Sequence, residues 1–459
     1  MILTIYYLVM RKKLLLINPV NRLLNFFKIG HTVNLGTRFQ PIGLGIVAAL
    51  TPDNWDVEII DENFEPFVYK DADLVGFTAF TATATRAYRI AALYRKENIP
   101  TVIGGIHVSI MPEEASQYID TVVIGEAESV WPKAIADFEK GKMKKFYHGE
   151  RLDLKGMPKP RRELLHPDYL FGSIETSRGC PMDCEFCSVP VFYGHRYRQR
   201  PVEEILDELE AIPQKKIFFT DDNFIGYGRR AQEHAIALFK GMIERNMKKE
   251  WFCQVSMNIA ENEKVLEYAA KAGCRMVFIG VEAEDTAALE DINKMLNLQI
   301  KMENYKKIFR RINEYGISVC GAFMYGMDSD TRELARRRTS YMLSSVDAVQ
   351  ITYLTPLPGT RLFEKVLKEK RLIYTNFPHD WEHYTMAEVT HRPLSMSAEE
   401  LQEVRYDVIP RLYNYPSIWL RFFKTLFTTR RLAAALWAYI FNINYRNATI
   451  RSIKLMLKK

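Results

Sequence analysis

Short apolar runs alternate with helix-length amphipathic segments along most of the 459-residue chain, and this alternation is the strongest constraint on its fold. Apolar runs of this length are typical of buried parallel strands, and the amphipathic segments between them are typical of helices that cover a sheet. The sequence therefore predicts an α/β fold with parallel sheets. The runs fall into two series, separated by a connector with a Pro-rich cluster at 155–160.

The first series predicts a doubly wound, Rossmann-like domain over residues 10–140. Its five strands are expected at 14–18, 57–61, 74–79, 101–105 and 121–126. Doubly wound sheets bind ligands at the carboxyl ends of their strands. The glycine pair at 104–105 would let a large flat or phosphorylated ligand approach the backbone, but tight turns use such pairs as well, so both interpretations stand.

The second series follows a linker at 141–170 and predicts a partial (β/α)6 barrel over residues 171–370. Its six strands are expected at 174–177, 216–221, 252–257, 276–282, 318–326 and 348–354. The chemistry of such a barrel belongs to the carboxyl ends of the strands and to the loops that follow them. Residues 371–459 are expected to form a C-terminal helical segment.

The chain has six cysteines, too few for a disulfide framework in a protein of this length. Three of them lie after the first barrel strand with the spacing C-x3-C-x2-C, namely Cys180, Cys184 and Cys187. Three soft thiolates can hold three corners of an iron–sulfur cluster. A structural zinc site needs four ligands, and only His195 is near, so the spacing favours a cluster with one open iron. The three remaining cysteines, Cys253, Cys274 and Cys320, are expected in the core.

The net charge of +7 is concentrated in the tail, because residues 408–459 contain ten Lys or Arg and no Asp or Glu. Aromatic residues alternate with these cations, which is typical of surfaces that face anionic headgroups. A closing helical layer with solvated cations would have the same composition, and nucleic acid is less favoured. The longest uncharged stretch, 432–445, is too short to span a bilayer.

The N-terminal apolar run at 1–9 precedes its positive charges, the reverse of a secretory signal. We therefore expect a cytoplasmic protein, and contact of its tail with the inner face of the membrane is one of the alternatives left open above.

The cysteine loop resembles that of the radical S-adenosylmethionine (radical SAM) enzymes, for which this spacing is the signature. Four further segments, 219–226, 273–282, 321–327 and 355–364, are similar to the methyltransferase-like branch with an N-terminal cobalamin-binding domain. The loops at 39–45, 76–87, 102–109 and 123–129 resemble those of that domain. The resemblance extends over about residues 12–400.

This resemblance implies that the three cysteines hold a [4Fe–4S] cluster whose open iron binds S-adenosylmethionine. Reductive cleavage then gives a 5′-deoxyadenosyl radical, and methylcobalamin transfers a methyl group to a substrate carbon radical. The implied S-adenosylmethionine-binding residues are Phe186, Asp222, Ser256 and Glu282. The implied cobalamin-binding residues are Thr78, Thr81, Gly104, Gly105, Gly125 and Glu126. No catalytic residue is assigned.

This sequence departs from the pattern of cobalamin domains at the end of the first strand. Domains that ligate cobalt through histidine carry Asp-x-His-x-x-Gly there, whereas this chain begins the segment with Asn18. Cobalamin would then lack a lower histidine from this position. For His107, a hydrogen bond within its loop is favoured over ligation to cobalt.

The expected function is methylation of an unactivated carbon in a small hydrophobic substrate, such as a lipid, isoprenoid or tetrapyrrole, with flavodoxin or ferredoxin as reductant. One alternative is oxidative cyclisation or C–C bond formation without methyl transfer. Another is a non-catalytic metal-binding or electron-transfer module. Methylthiolation of transfer RNA is disfavoured because it predicts three further N-terminal cysteines, and residues 1–179 contain none.

Overall fold

The structure is a computed structural model that describes residues 11–21 and 39–456, with side chains described as far as Thr449. The apolar run at 1–9 and the terminal cations from Arg451 onward therefore lie outside the described side chains. The chain divides into two compact units. The first contains the strand at 12–18 with residues 41–152 and 158–167, and the second contains residues 39–40, 153–157 and everything from 168 onward.

The first unit is a parallel sheet covered by helices, which confirms the predicted doubly wound fold. Its strands are β1 (Lys12–Asn18), β2 (Trp55–Asp61), β3 (Leu74–Thr78), β4 (Thr101–Gly104), β5 (Thr121–Ile124) and β6 (Phe146–His148). Their spatial order is β2-β1-β3-β4-β5-β6. Its helices are α1 (Ile42–Ala49), α2 (Thr81–Lys96), α3 (Ile106–Ile110), α4 (Pro112–Tyr118) and α5 (Trp131–Glu139).

Strand β1 shows why the first series reads as continuous apolar runs. Leu15 and Ile17 belong to a core cluster with residues of α2, whereas Leu14 and Leu16 belong to a second cluster with residues of α1 and α5. Successive side chains of a strand point to opposite faces, so a strand covered on both faces needs apolar residues throughout.

Strand β6 adds a sixth strand to the five that the sequence predicts. It pairs in parallel with β5, with Val122 opposite Phe146 and Ile124 opposite His148. Only the middle residue, Tyr147, is buried, and its hydroxyl donates to the Asp137 carboxylate at 2.8 Å. A segment of three residues with one buried side chain is too short to show the alternation of a strand. The sequence therefore assigns these residues to the linker.

The second unit is an open parallel sheet in chain order, as the partial barrel predicts. The sheet runs β14-β13-β12-β11-β10-β7, and β8 pairs separately with β9. The strands are β7 (Phe171–Ile174), β8 (Ser177–Arg178), β9 (Arg198–Gln199), β10 (Lys216–Phe219), β11 (Glu250–Val255), β12 (Cys274–Glu282), β13 (Ser318–Tyr325) and β14 (Ala348–Tyr353).

Helices connect the barrel strands and then form the C-terminal segment. They are α6 (Val189–Tyr193), α7 (Val202–Ala211), α8 (Gly228–Glu244), α9 (Glu263–Lys271), α10 (Thr286–Asp291), α11 (Met295–Ile300), α12 (Tyr305–Glu314), α13 (Arg332–Ser345), α14 (Arg361–Lys368), α15 (Ala398–Tyr413), α16 (Tyr415–Thr429) and α17 (Leu432–Met456). Short 3₁₀ turns lie at Ala127–Ser129, Arg162–Leu164, Met257–Glu261, Met302–Asn304 and His379–His383.

The first barrel strand lies earlier than the predicted 174–177. The ladder with β10 ends at Ile174, and Ser177–Arg178 instead pairs antiparallel with β9. The buried Asp221 carboxylate accepts hydrogen bonds from the amide and hydroxyl of Thr176 and from the hydroxyl of Ser177. These bonds take the chain out of the parallel ladder before the cysteine loop begins.

Helix α17 packs against the amino ends of strands in the second sheet. The Trp437 ring lies 5.7 Å from that of Phe171 and 5.9 Å from that of Phe252. Its indole nitrogen donates to Glu250, the first residue of β11, at 3.4 Å. In the described part of the chain, none of the helices combines the length and the apolar character needed to cross a bilayer.

A buried arginine joins α13 to three acidic residues. The Arg338 side chain is fully buried, and its guanidinium donates to Glu284 at 2.8 Å, to Asp285 at 3.1 Å and to Asp330 at 2.7 Å. It also donates to the carbonyl of Met324 in β13 at 2.6 Å. Removing one partner of such a network leaves uncompensated charge in the interior.

We therefore expect Arg338→Met to lower the free energy of unfolding by about 3–5 kcal/mol, measured by chemical denaturation. The matched control is Arg337→Met, because Arg337 faces the same Glu284 at 3.5 Å with a side chain that is 58% exposed. That control should change stability by no more than about 0.5 kcal/mol. Similar losses in the two variants would contradict a special role for the buried network.

Candidate functional site

The three predicted cluster ligands lie on the loop that joins β8 to β9, at the carboxyl end of the first barrel strand. Gly179 opens this loop with φ +90°, and an added Cβ would lie 2.3 Å from the Arg196 carbonyl oxygen. The Cys180 amide donates to the Gly194 carbonyl at 3.3 Å, and the Cys187 amide donates to the Cys184 carbonyl at 3.2 Å. The loop is therefore closed by its own backbone.

Residues that follow two distant strands also hold the cysteine loop. After β12, the Ile292 carbonyl accepts from the Glu185 amide at 3.0 Å, and the Asn293 amide group donates to the Asp183 carbonyl at 2.8 Å. At the start of α14, Arg361 pairs with the Asp183 carboxylate at 2.6 Å. The position of the thiols thus depends on residues more than a hundred positions away in the sequence.

The thiols of Cys180, Cys184 and Cys187 are partly buried, and burial raises the pKa of each one, that of Cys187 to about 12. A negative charge on Cys184 raises the pKa of the other two, whereas Lys294 lowers all three. Across residues 11–21 and 39–456, however, no group of three His, Cys, Asp or Glu side chains is arranged to hold a single metal ion. Three thiols on one loop beside a cation fit an anionic iron–sulfur cluster with three protein ligands.

Glu282 and Lys294 form an ion pair of 2.9 Å beside the cysteine loop. Glu282 ends β12 at a break in register and has φ +65°, a conformation that is uncommon for a residue with a side chain. The Lys294 ammonium lies 5.9 Å from the centre of the Phe186 ring. Burial lowers the pKa of Lys294, but the charges of Glu282 and Cys184 outweigh this effect and raise it above its ordinary value.

The sequence pointed to Glu282 and missed Lys294. The lysine sits in an amphipathic stretch between α10 and α11, where the pattern is that of an ordinary surface helix. Only the fold brings it to the thiols.

The adjacent Asp221 and Asp222 have different roles after β10. Asp221 is buried and holds Thr176 and Ser177, so it positions the start of the cysteine loop. Asp222, the predicted ligand, is solvent-accessible. Desolvation by the protein around Asp222, together with the charges of Glu175 and Asp221, raises its pKa to about 7.

Ser256 directly follows β11 and accepts a hydrogen bond of 2.7 Å from the Tyr227 hydroxyl. Its amide donates to the Asn223 side chain at 3.3 Å. Burial raises the pKa of Tyr227 to about 12, so its hydroxyl stays protonated and donates at neutral pH. Tyr227 was not among the residues predicted from the sequence. Asp222, Ser256 and Glu282 thus lie at the carboxyl ends of β10, β11 and β12, as predicted, and Phe186 lies on the cysteine loop, while the roles of all four remain predictions.

In the first unit, the predicted cobalamin-binding residues lie at the carboxyl edge of the sheet. Gly105 has φ +110°, and an added Cβ would lie 2.8 Å from the Ala79 carbonyl oxygen and 3.2 Å from the Thr78 hydroxyl oxygen. The Ser109 hydroxyl donates to the Gly105 carbonyl at 2.8 Å and accepts from the Gly125 amide at 2.9 Å. The loops after β3, β4 and β5 therefore form one connected edge.

Three of the predicted residues have different environments at this edge. A Cβ on Gly104 would meet nothing closer than Val123 at 3.8 Å, so packing within this unit does not require glycine there. Thr81 is buried at the start of α2. Glu126 is also buried and accepts from the Leu152 amide at 3.3 Å. An open glycine on a ligand-binding edge fits a large flat group such as a corrin.

Asn18, at the position where the ligating motif is missing, and His107, the candidate considered for cobalt, both have partners within the unit. The Asn18 side chain donates to the Asp61 carboxylate at 2.8 Å. His107 is buried, and its Nε2 lies 3.2 Å from the Glu114 carboxylate. The hydrogen bond predicted for His107 is therefore present, although its partner belongs to α4.

The remaining cysteines occupy the positions expected of core residues. Cys253, Cys274 and Cys320 are buried within strands β11, β12 and β13. Each of these three packs within an apolar core cluster, whereas the three cysteines of the loop are only partly buried.

Comparison with known proteins agrees with this division of the chain. The family model for the Radical SAM superfamily matches residues 174–337, and that for the B12 binding domain matches residues 30–135. These matches confirm a [4Fe–4S] cluster, S-adenosylmethionine and cobalamin as the cofactors.

Relatives with methyltransferase names match most of the chain. Bacteriochlorophyllide d C-12(1)-methyltransferase of Chlorobaculum tepidum is 29% identical over 416 residues, which cover 86% of this chain and 85% of that protein. Hopanoid C-2 methylase of Rhodopseudomonas palustris is 30% identical over 363 residues, covering 74% of this chain and 68% of that protein.

A solved structure shares the fold. The radical S-adenosylmethionine methyltransferase TsrM from Kitasatospora setae, with cobalamin and a [4Fe–4S] cluster bound, superimposes with a TM-score of 0.63 at 20% identity. The match covers 80% of this chain and 76% of TsrM. The chain is an enzyme that belongs to the methyltransferase-like branch of the radical SAM family with a cobalamin-binding domain.

Proposed function

We propose that the protein methylates an unactivated carbon of a hydrophobic polycyclic substrate, of the lipid, isoprenoid or tetrapyrrole class. The similarity to a bacteriochlorophyllide methyltransferase and to a hopanoid methylase carries this proposal, because these two substrates share a large apolar ring system. The two units supply the separate parts that the reaction needs, a cysteine loop and a glycine-rich sheet edge.

Within the barrel, Cys180, Cys184 and Cys187 are the proposed cluster ligands. When bound, the cluster and S-adenosylmethionine supply a radical that removes hydrogen, and cobalamin supplies the methyl group. Lys294 offsets the negative charge of the thiolates, and its ion pair with Glu282 fixes where that positive charge lies. Glu282 thus holds the Lys294 ammonium beside the cluster ligands, and no ion from solvent is needed to do so.

The proposed S-adenosylmethionine site lies at the carboxyl ends of β10, β11 and β12, beside the cysteine loop. Asp222 and Glu282 offer carboxylate acceptors for the amino group and the ribose hydroxyls, and Ser256 offers a hydroxyl fixed by Tyr227. Phe186 offers backbone groups next to the third cysteine. The strained backbone at Glu282 supports a binding role, because such conformations cluster at functional sites.

In the first unit, Gly104, Gly105 and Gly125 are proposed to let the corrin approach the backbone. Thr78 offers a hydroxyl at the same edge, and the buried Thr81 and Glu126 are the other residues proposed to bind cobalamin there. The proposed boundaries are 10–140 for this domain, 141–170 for the linker, 171–370 for the barrel and 371–459 for the C-terminal segment.

The reaction requires electrons from a low-potential carrier, for which we propose flavodoxin or ferredoxin. We also propose a cytoplasmic location next to the inner face of the membrane, supported by the basic and aromatic C-terminal segment. Oxidative cyclisation or C–C bond formation would use the same cofactors. The two reactions differ in whether the product gains a methyl group.

The first test uses enzyme reconstituted anaerobically with iron, sulfide and cobalamin, then reduced and incubated with methyl-deuterated S-adenosylmethionine and a hydrophobic extract. We expect 5′-deoxyadenosine, S-adenosylhomocysteine and a product heavier by one deuterated methyl group, detected by mass spectrometry. Deoxyadenosine with an unlabelled product would replace methylation by cyclisation or coupling.

The second test concerns the thiols. Cys184→Ala should lose cluster iron, sulfide and visible absorbance, together with all cleavage of S-adenosylmethionine, because its thiol lies within electrostatic range of both other cysteines. The control is Cys274→Ala, at the amino end of β12 and therefore at the edge opposite the loop. Cleavage retained by Cys184→Ala would rule out the ligand assignment.

The third test concerns the corrin. Gly105→Ala should weaken cobalamin retention by about tenfold or more, because the added Cβ clashes with the backbone of Ala79. A loss of only about 1.4 kcal/mol in binding free energy corresponds to a factor of ten. Gly141→Ala is the matched control, because Gly141 also has positive φ but has nothing within 4 Å of the added Cβ. Retention is measured by absorbance after gel filtration, and equal retention would contradict the proposed edge.

A further inference from the structure

Helices α16 and α17 form a hairpin with an unusual number of exposed apolar side chains. A short turn at Arg430 and Arg431 connects the two helices, and Arg430 has a left-handed backbone with φ +53°. Eight large apolar residues of this hairpin are 41–77% exposed. They are Tyr415, Trp419, Leu420, Phe423, Phe427, Leu432, Leu436 and Ile440.

These side chains form one stripe on each helix. Trp419, Phe423 and Phe427 follow one another at four-residue intervals on α16, and the same interval separates Leu432, Leu436 and Ile440 on α17. Residues four apart lie on one face of a helix. The Trp419 ring lies 5.0 Å from the ring of Tyr439 on α17, so the α16 stripe borders that helix. We call this surface the hairpin face.

The opposite sides of both helices are anchored in the second unit. On α16, the Thr425 hydroxyl donates to the Asp347 carboxylate at 2.9 Å. On α17, the Asn442 side chain donates to the Asp347 carbonyl at 3.0 Å, and Trp437 packs among the phenylalanines of the sheet. The hairpin face is therefore the outer side of a fixed layer, whose inner side the barrel already covers.

The charge on the hairpin itself has one sign. No Asp or Glu occurs from residue 408 to the end of the chain. Arg411 and Arg430 are exposed, whereas Arg421 is fully buried and contributes nothing to the surface. An apolar, aromatic face bordered by cations is complementary to anionic headgroups above an acyl layer. A second copy of the same face would bring cation against cation.

We propose that the hairpin face binds an anionic lipid surface, with α16 and α17 lying in the plane of the interface. Neither described helix is suited to cross a bilayer, which agrees with in-plane binding. Leu420, Phe427 and Leu436 enter the boundary between headgroups and acyl chains, and Arg430 at the turn contacts the headgroups. The inference rests on the proposed location next to the membrane and is independent of the reaction.

The test uses the full-length holoenzyme and co-sedimentation with vesicles of phosphatidylcholine alone or mixed with phosphatidylglycerol. The unaltered protein should bind the mixed vesicles, and added salt should weaken binding because it screens the headgroup charge. The triple variant Leu420→Ser, Phe427→Ser, Leu436→Ser should bind at least about tenfold more weakly, since each change removes exposed apolar surface. Arg430→Glu should reduce the preference for phosphatidylglycerol.

The matched control is the triple variant Val68→Ser, Leu93→Ser, Ile243→Ser, which removes three exposed apolar side chains outside the hairpin. It should bind vesicles like the unaltered protein. Cleavage of S-adenosylmethionine should be unchanged in all variants, so a failure of the reaction is distinguished from a failure of the surface. Equal vesicle binding by the two triple variants would overturn the proposal. If the unaltered protein does not bind vesicles but is a dimer that only the hairpin variant dissociates, the face is instead a contact between two copies of the chain.

Discussion

The carboxylate of Asp221 determines where the chain leaves the barrel sheet and begins its cysteine loop. It accepts hydrogen bonds from Thr176 and Ser177, immediately before the two-residue pairing of β8 with β9. Without these bonds, the apolar run could continue along β10 and carry the first cysteine further along the strand. Burial, helped by the negative charge of Glu175, raises the pKa of this carboxyl to about 7, and the hydroxyl donors oppose that rise by stabilising its charged form.

The cysteine loop also depends on contacts that are remote in sequence. Its backbone at Glu185 bonds to Ile292 after β12 and to Leu362 in α14, so two late parts of the barrel hold the loop in place. The same region after β12 provides Lys294, which brings a positive charge to the thiols. A ligand loop braced in this way loses little entropy on binding, because its conformation is already fixed by the scaffold. The barrel must therefore fold as a whole before its first loop is a complete site.

Much of the architecture could be predicted because its cause is local. Strands covered on both faces must be apolar throughout, so β1 is visible in the sequence as the run at 14–17, and the cysteine spacing places the loop directly. The features that the sequence did not predict depend on tertiary contacts. β6 is stabilised by pairing rather than by its own apolarity, and β7 ends early because of Asp221. Lys294 looks like a surface lysine until β12 and the loop meet. Of the two adjacent aspartates, sequence alone does not tell which faces inward.

The two ends of the barrel sheet have opposite character, and this polarity connects its packing to its chemistry. At the amino half, Trp437 of α17 packs with Phe171 and Phe252, so the interior there is filled by rings. At the carboxyl ends lie carboxylates, hydroxyls and thiols, whose burial cost requires partners such as Lys294 and Tyr227. Apolar packing at one end provides the stability that lets the other end keep a strained glutamate and desolvated charges. Because α17 supplies that packing from one side, its other side, with Leu432, Leu436 and Ile440, is left exposed.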